Sequence, residues 1–261
     1  MIEKILWKVF DRLGYRIARK PARTRSRHST ELEFHETATG KYYLPKFAVN
    51  DIVANSIVAN EVFDKPIVDL ASTFIMKGTT VLDVGSNFGQ MAILFSRLTG
   101  PSGIVHAFDA DDFIFEILKK NIEANEAQNI VPHFGAVHDK LGETLYFPVQ
   151  DFKRFETYGS YGIDYNSQGN GRPVETLTID SLNIEGPISL MKVDVQGGDL
   201  FALRGAKKTI MKHKMPIIFE YEYLFEQELN FNFQQYVDFV SEINYRFDRV
   251  INGHNYLILP K

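Results

Sequence analysis

Two apolar runs of this chain end in acids, and those acids sit where chemistry could be done. Ile188 to Val195 carries Lys192 and Asp194 near its end. Ile217-Ile218-Phe219 runs into Glu220, with Glu222 beyond it. Open α/β sheets bind ligands at the carboxyl ends of their strands, and Lys192, two residues before Asp194, shares its face of the strand. Asp194 could act as general base, as a cofactor contact or as one ligand of a divalent cation. Burial raises the pKa of either acid unless Lys192 compensates. A Lys192–Glu220 ion pair with a purely structural use is the alternative.

The element that must position these acids is the stretch Thr80-Val81-Leu82-Asp83-Val84-Gly85-Ser86-Asn87-Phe88-Gly89-Gln90. The run to Val84 reads as a buried strand of a parallel sheet. A turn with two glycines follows, and then a helical pattern through Met91, Ile93, Leu94 and Leu98. In that geometry backbone N–H groups and a helix N-terminus face a ligand; close strand–helix packing is the plainer account. A second strand, Gly103 to Phe108, ends in Asp109, 20 residues after Gly89, the distance at which nucleotide folds place an acid for ribose hydroxyls. Asp111 and Asp112 read as helix N-cap residues instead.

Asp-Val-Gly-Ser-Asn-x-Gly followed by Ala107-Phe108-Asp109 resembles the class I S-adenosylmethionine-dependent methyltransferases. Thr178-Ile179-Asp180-Ser181-Leu182, Met191-Lys192-Val193-Asp194-Val195-Gln196-Gly197 and Arg204-Gly205-Ala206 resemble the FkbM-type family in particular. The resemblance runs from about residue 40 to 225, with the motifs in order. It implies an α/β, Rossmann-like fold: a mostly parallel seven-stranded sheet, helices on both faces and a C-terminal antiparallel hairpin. It also implies that S-adenosylmethionine is held by Asp83, Gly85, Ser86, Asn87, Phe88 and Gly89, by Asp109 with Ala110, and by Ala136 and Val137 along the adenine, with Asp194 a further contact.

In the same reading His138 or Asp139 meets the exocyclic amine, a surface loop histidine being the alternative for His138. The proton acceptor is Asp194, Glu220 or His138, with Lys192 beside the acids. The acceptor is a hydroxyl of a sugar, glycolipid, polysaccharide or natural product. A divalent cation such as magnesium is allowed by the acids but no motif demands it. One departure stands out: relatives carry Asp-x-Glu-Gly-x-Glu where this chain reads Asp194-Val195-Gln196-Gly197-Gly198-Asp199. Gln196 keeps the hydrogen bonding and loses the charge. It is the main support for the competing reading, a binding or scaffold protein that keeps the fold without catalysis. A nicotinamide enzyme fits poorly, because the turn offers only Gly85 and Gly89.

The 261 residues are 44% hydrophobic and 24% charged, enough for one sizeable core. The net charge of −4 argues against nucleic acid as a partner. With no cysteine, disulfides, thiolate metal sites and cysteine nucleophiles are excluded together. No apolar run approaches the ~20 residues of a membrane span, and Glu3, Lys4, Lys8 and Asp11 argue against a signal peptide, so a cytoplasmic location is expected.

Residues 1–45 read as an extension and 46–261 as the methyltransferase domain, with an insertion or lid at 140–173. Within the extension, Ile2, Ile5, Leu6, Val9 and Leu13 form an amphipathic helix, followed by a basic run from Arg16 to His28. A helix packed on its own domain or on a partner chain is the simpler reading; a peripheral anchor on anionic lipid at the inner face of a membrane is the functional one. The strand–helix alternation 79–84, 88–99, 103–108, 112–125, 130–136 predicts a parallel sheet. Strands at 188–195 and 216–222 flank a helix at 198–212, and helix, strand and strand follow at 233–243, 245–250 and 255–260. The insertion gathers Phe152, Phe155, Tyr158, Tyr161 and Tyr165, either to stack on an acceptor or to pack on themselves. Tyr42, Tyr43, Tyr221 and Tyr223 are further acceptor candidates by chemistry alone. The oligomeric state is open.

Overall fold

The computed structural model describes residues 31–261 except 47, 49, 149–157, 159–161, 168, 226–228 and 230. The amphipathic helix expected at the N-terminus and the basic run after it, and Phe152, Phe155 and Tyr161, lie outside the described residues. Within them a 7-stranded sheet is built from β3 (Thr80–Val84), β4 (Ile104–Asp109), β5 (Ile130–Phe134), β9 (Ile188–Val193), β10 (Ile217–Glu220), β11 (Tyr245–Ile251) and β12 (Asn255–Pro260). Its order is β11-β12-β10-β9-β3-β4-β5. The five strands from β10 to β5 run parallel, and β12 lies antiparallel between β10 and β11. A central parallel strand must be apolar on both faces; β3 and β9 are buried at every position.

Alternation along the strands sorts two cores. Val81, Val105, Leu190 and Ile218 point to one face, where they meet α1 (Ile52–Val58), α2 (Lys65–Ser72), α3 (Gln90–Thr99) and α4 (Asp112–Ala124). Leu82, Val84, Met191, Val193 and Phe219 point to the other, against α5 (Asp199–Gly205), α6 (Lys207–His213) and α7 (Phe233–Glu242). By the same period of two, Asp83, Lys192 and Glu220 share the first face. Ahead of the sheet, β1 (Leu32–Thr37) and β2 (Gly40–Pro45) form a hairpin. It is fixed to α4 by the Tyr43 N–H on Asn121 Oδ1 and the Lys41 N–H on Asn125 Oδ1.

The predicted strand 130–136 stops at Phe134, because Gly135 turns at φ +150°. Ala136–Val137 (β6) then joins β8 (Arg172–Leu177) and β7 (Thr144–Phe147) in a small sheet, order β6-β8-β7, of which only β7 lies wholly within the expected insertion. The single helix expected at 198–212 is two, α5 and α6. A side chain at Gly205 would meet the His138 carbonyl at 1.9 Å, which presses α5 onto that loop. Asp180, from the Thr178–Leu182 motif, accepts the N–H groups of Lys208 and Thr209 and so caps α6. Asp180→Ala is therefore expected to cost about 1–2 kcal/mol of stability with cofactor affinity unchanged. Denaturant titration beside calorimetry checks both.

Candidate functional site

The strand ends converge by register. Asp83 lies opposite Lys192, and Lys192 opposite Ile218. One residue beyond the last β9–β10 pair, Asp194 comes level with Glu220. Lys192 Nζ donates to the Gly85 carbonyl at 3.0 Å and stands 3.5 Å from Asp194 Oδ2 and 3.8 Å from Asp83 Oδ1. The structural Lys192–Glu220 pair is thus not what forms; the lysine pairs with Asp194 and Asp83. Burial alone would pull its ammonium pKa down, but Asp194 and Asp83, helped by Asp199 and Glu220, outweigh burial and raise it. Burial also works to raise Asp194. Lys192 and the hydrogen bonds from Glu220 and Gln196 prevail and hold that carboxyl below its ordinary value. Glu220 goes the other way: burial and the neighbouring Asp194 push it well up. One carboxyl is held below its ordinary pKa and its neighbour is pushed well above, the arrangement that separates acid and base roles.

The Gly85 turn has a tight reason for its glycine. At φ +83° a side chain would sit 1.9 Å from the Asp194 carbonyl oxygen. The N–H groups of the turn do not face a ligand, contrary to expectation. Those of Gly85 and Ser86 go to the Phe108 carbonyl, Asn87 to Asp109 Oδ2, Phe88 to its neighbour's Asn87 Oδ1, and Gly89 to the Ser86 carbonyl. The loop is ordered from within, and what it offers the cleft is close backbone approach. Asp109 accepts from Asn87 and, through Oδ1, from Asp111 at 3.0 Å, and burial pushes its pKa up to about 7. Each carboxylate oxygen keeps a lone pair for a hydroxyl donor.

Around these residues runs a two-lobed cleft. One lobe, about 510 Å³, is lined mostly by apolar residues, Val84, Phe108, Ala110, Ala136, Val137 and Tyr165 among others. The other, about 880 Å³, holds Ser86, Asn87, Lys192, Asp194, Gln196 and Glu220, with Asp64, Asp111, Phe63 and Tyr158 on its outer wall. Gly85, Asp109 and Phe147 line both lobes. Of the residues proposed for the cofactor, Gly85, Ser86, Asn87, Asp109, Ala110, Ala136, Val137 and Asp194 therefore border the cleft.

Three do not. Phe88 is fully buried in the core against Tyr158, Gly89 packs toward Leu118, and Asp83 is wholly buried, with no hydrogen-bond partner for either carboxylate oxygen among the described residues. Lys192, which does border the cleft, is the group through which Asp83 acts. His138 does not border it either. Its ring stacks on Phe201 at 4.2 Å, its Nδ1 lies 2.9 Å from Asp139 Oδ1, and burial lowers its pKa. Tyr42 is fully buried in the core, Tyr43 lies over α4, and Tyr221 is locked among Phe233, Tyr236 and Tyr256.

Several residues have roles that the motifs alone did not show. Gln196, at φ +49°, donates through Nε2 to Asp194 Oδ1 at 3.2 Å and lies 3.4 Å from Glu220 Oε2. A glutamate there would set a third carboxylate against those two. The amide supplies the hydrogen bonds without the repulsion. Asp199 is structural: its carboxylate takes the N–H groups of Val195 and Glu220 and so ties the ends of β9 and β10 together. Arg172 on β8 makes a two-pronged contact with Asp111, Nη1 to Oδ1 at 3.0 Å and Nη2 to Oδ2 at 2.5 Å, and also pairs with Asp112. Asp111 caps α4 as expected. Asp51 caps α1 and accepts the Tyr158 N–H at 2.7 Å. Arg172 and Tyr158 thus hold the insertion onto the domain beside the cleft. Among the described residues no group of three or more His, Cys, Asp or Glu side chains is placed to hold a metal ion, and no helix is long and apolar enough to cross a membrane.

A family profile described as "Methyltransferase FkbM domain" matches residues 83–247. Solved methyltransferase structures are similar to this chain. The FkbM methyltransferase of Methylobacillus flagellatus is 16% identical, with 83% of this chain and 55% of that one covered at a TM-score of 0.46. Fibrillarin of Aeropyrum pernix, a complex with S-adenosyl-L-methionine, is 10% identical over 90% and 84% of the two chains at 0.43. The precorrin-6y C5,15-methyltransferase of Geobacter metallireducens is 11% identical over 74% and 87% at 0.43. Comparison with curated proteins finds no match.

Proposed function

Because this chain belongs to the FkbM methyltransferase domain family, we propose that it moves the methyl group of S-adenosylmethionine to a hydroxyl of a sugar, glycolipid, polysaccharide or natural product. The observation that carries the hydroxyl assignment is the Asp194 carboxylate, held ionised by Lys192 3.5 Å away on the wall of the larger lobe. A sugar hydroxyl is a very weak acid, so its proton must be taken as the oxygen attacks, and a positioned carboxylate is the group that takes it.

The residues fit the cofactor. The apolar lobe with Ala136 and Val137 suits the adenine, Asp109 the ribose hydroxyls, and the backbone around Gly85 the methionine portion. The bound cofactor supplies an electrophilic methyl group on a sulfonium. The chain aligns that group with the acceptor oxygen and holds the released proton at Asp194. Among the described residues, the wall of the larger lobe carries Asp64, Asp109 and Asp194, with Asp111 paired to Arg172, Glu220 pushed toward its neutral form, and Lys192, the one cation there, already paired with Asp83 and Asp194, a balance that suits a neutral polyhydroxyl acceptor better than a phosphate or a carboxylate.

Transfer of a labelled methyl group to a panel of glycosides and lipid-linked sugars tests this. An alkali-stable methyl ether on a neutral sugar is expected; label found only on amines or carboxylates would overturn it. A second expectation concerns the ribose. Hydroxyl donors favour ionised Asp109, whose pKa is pushed up to about 7 in the free protein. Affinity for S-adenosylhomocysteine should therefore climb as pH rises through neutrality. Asp109→Ala should lower it about tenfold or more, ~1.4 kcal/mol, and flatten that rise. Unchanged affinity in the variant would remove Asp109 from the cofactor site.

A further inference from the structure

Glu220 is held from several sides. Its Oε2 faces Gln196 Nε2 at 3.4 Å, and its Oε1 faces His254 Nε2 at 3.3 Å. The Glu220 side chain is 11% exposed and that of His254 28%, so the pair leads from the interior outward. The placement of His254 is built in. It sits on the turn between β11 and β12, its carbonyl accepts the Tyr221 N–H at 2.9 Å, and the next residue, Asn255, is paired with Glu220 across the sheet. On the cleft side, Gln196 Nε2 bridges the two acids, 3.4 Å from Glu220 Oε2 and 3.2 Å from Asp194 Oδ1, and burial with the Asp194 charge pushes the Glu220 carboxyl well up. The charged groups facing Glu220 are Asp194 and Lys192 from β9, Asp199 from α5, Glu222 beyond its own strand, and His254.

Resting on the methyl-transfer reading, we propose that Glu220 and His254 form the proton exit of the site. As the acceptor oxygen forms its bond to the methyl carbon, the carbon–sulfur bond breaks, its electron pair stays on sulfur, and the hydroxyl proton passes to Asp194. Glu220 then gives its own proton to His254 Nε2 and takes the one on Asp194. His254 releases a proton to solvent, which returns Asp194 to the carboxylate and leaves Glu220 protonated for the next turnover. His254 touches neither substrate nor cofactor; it is a positioning residue that acts through Glu220. Gln196 keeps the two acids in contact without a charge of its own.

The test follows the His254 imidazole by NMR across pH in full-length protein labelled at histidine, assigned by its disappearance in His254→Gln. Asp194→Asn removes the charge that pushes the Glu220 pKa up, so Glu220 ionises more readily and the His254 midpoint should rise by about half a pH unit or more, a threefold change in proton affinity. Glu220→Gln exchanges a neutral acid for a neutral amide and should move the midpoint little by itself, but combined with Asp194→Asn it should abolish the rise. A rise that disappears in the double variant is the signature of coupling through Glu220. A midpoint that stays put in Asp194→Asn, or a rise that survives in the double variant, overturns the proposal. Calorimetry with S-adenosylhomocysteine separates the two ways of failing. If it binds while the midpoint does not behave in this way, only the exit falls; if it fails to bind the folded protein, the methyl-transfer reading falls and the exit with it.

Discussion

Asp194→Asn is expected to lower the rate of methyl transfer by about 10²–10⁴-fold, while S-adenosylhomocysteine still binds within a few-fold of the native affinity. Asparagine keeps the shape and a hydrogen-bonding oxygen, so the side chain can still accept from Gln196 as Asp194 does at 3.2 Å. It cannot take a proton. Lys192 loses one of its carboxylate partners but keeps Asp83 and the Gly85 carbonyl at 3.0 Å, so the loop should hold its form. Single-turnover rates measured with a large excess of acceptor, beside the calorimetric affinity, separate chemistry from binding. Near-native turnover would remove Asp194 as the proton acceptor and leave the hydroxyl assignment without its carboxylate.

Gly85→Ala should damage both binding and folding. Leaving glycine at φ +83° costs about 1 kcal/mol in backbone terms. The new methyl group would also meet the Asp194 carbonyl at 1.9 Å, a main-chain atom that cannot swing aside. To relieve the contact β3 and β9 must part at their carboxyl ends, where both cofactor and acceptor bind. Cofactor affinity should fall more than tenfold, above ~1.4 kcal/mol, with a lower unfolding midpoint. Gly100→Ala serves as the control, since nothing lies within 4 Å of a side chain there, although its φ of +70° still carries the backbone cost. If both variants bind the cofactor as the native protein does, the β3–β9 contact at Gly85 has no part in shaping the site.

The sheet was legible in the sequence because its strands are buried on both faces and therefore read as continuous apolar runs. Val81-Leu82 and Ile217-Ile218-Phe219 admit little else. The acids at the strand ends were legible for the same reason, since each interrupts such a run. Three things were not. His138 follows a strand-like segment, but its ring is captured by Phe201, 63 residues further along, and no local pattern records that. The turn's N–H groups read as ligand donors; they are taken up by Phe108 and Asp109 on the neighbouring strand, a pairing that only register fixes. His254 stands in an ordinary hairpin turn, and its neighbour Glu220 belongs to a strand 34 residues earlier. Gln196 was noticed as a departure, and its geometry explains it: its amide lies 3.2 Å from Asp194 Oδ1 and 3.4 Å from Glu220 Oε2, bridging two acids whose pKa values are pushed in opposite directions, so the lost charge need not mean lost catalysis.

Calorimetric titration of the purified protein with S-adenosylhomocysteine tests the central claim most directly, because the cleft, the proton acceptor and the proton exit all presuppose that this product of methyl transfer is held between Gly85 and Asp109. Saturable one-to-one binding in the micromolar range, weakened in Asp109→Ala and retained in Asp194→Asn, is the predicted result. No heat of binding from a protein shown to be folded would contradict it and would favour a chain that keeps the methyltransferase fold without the reaction.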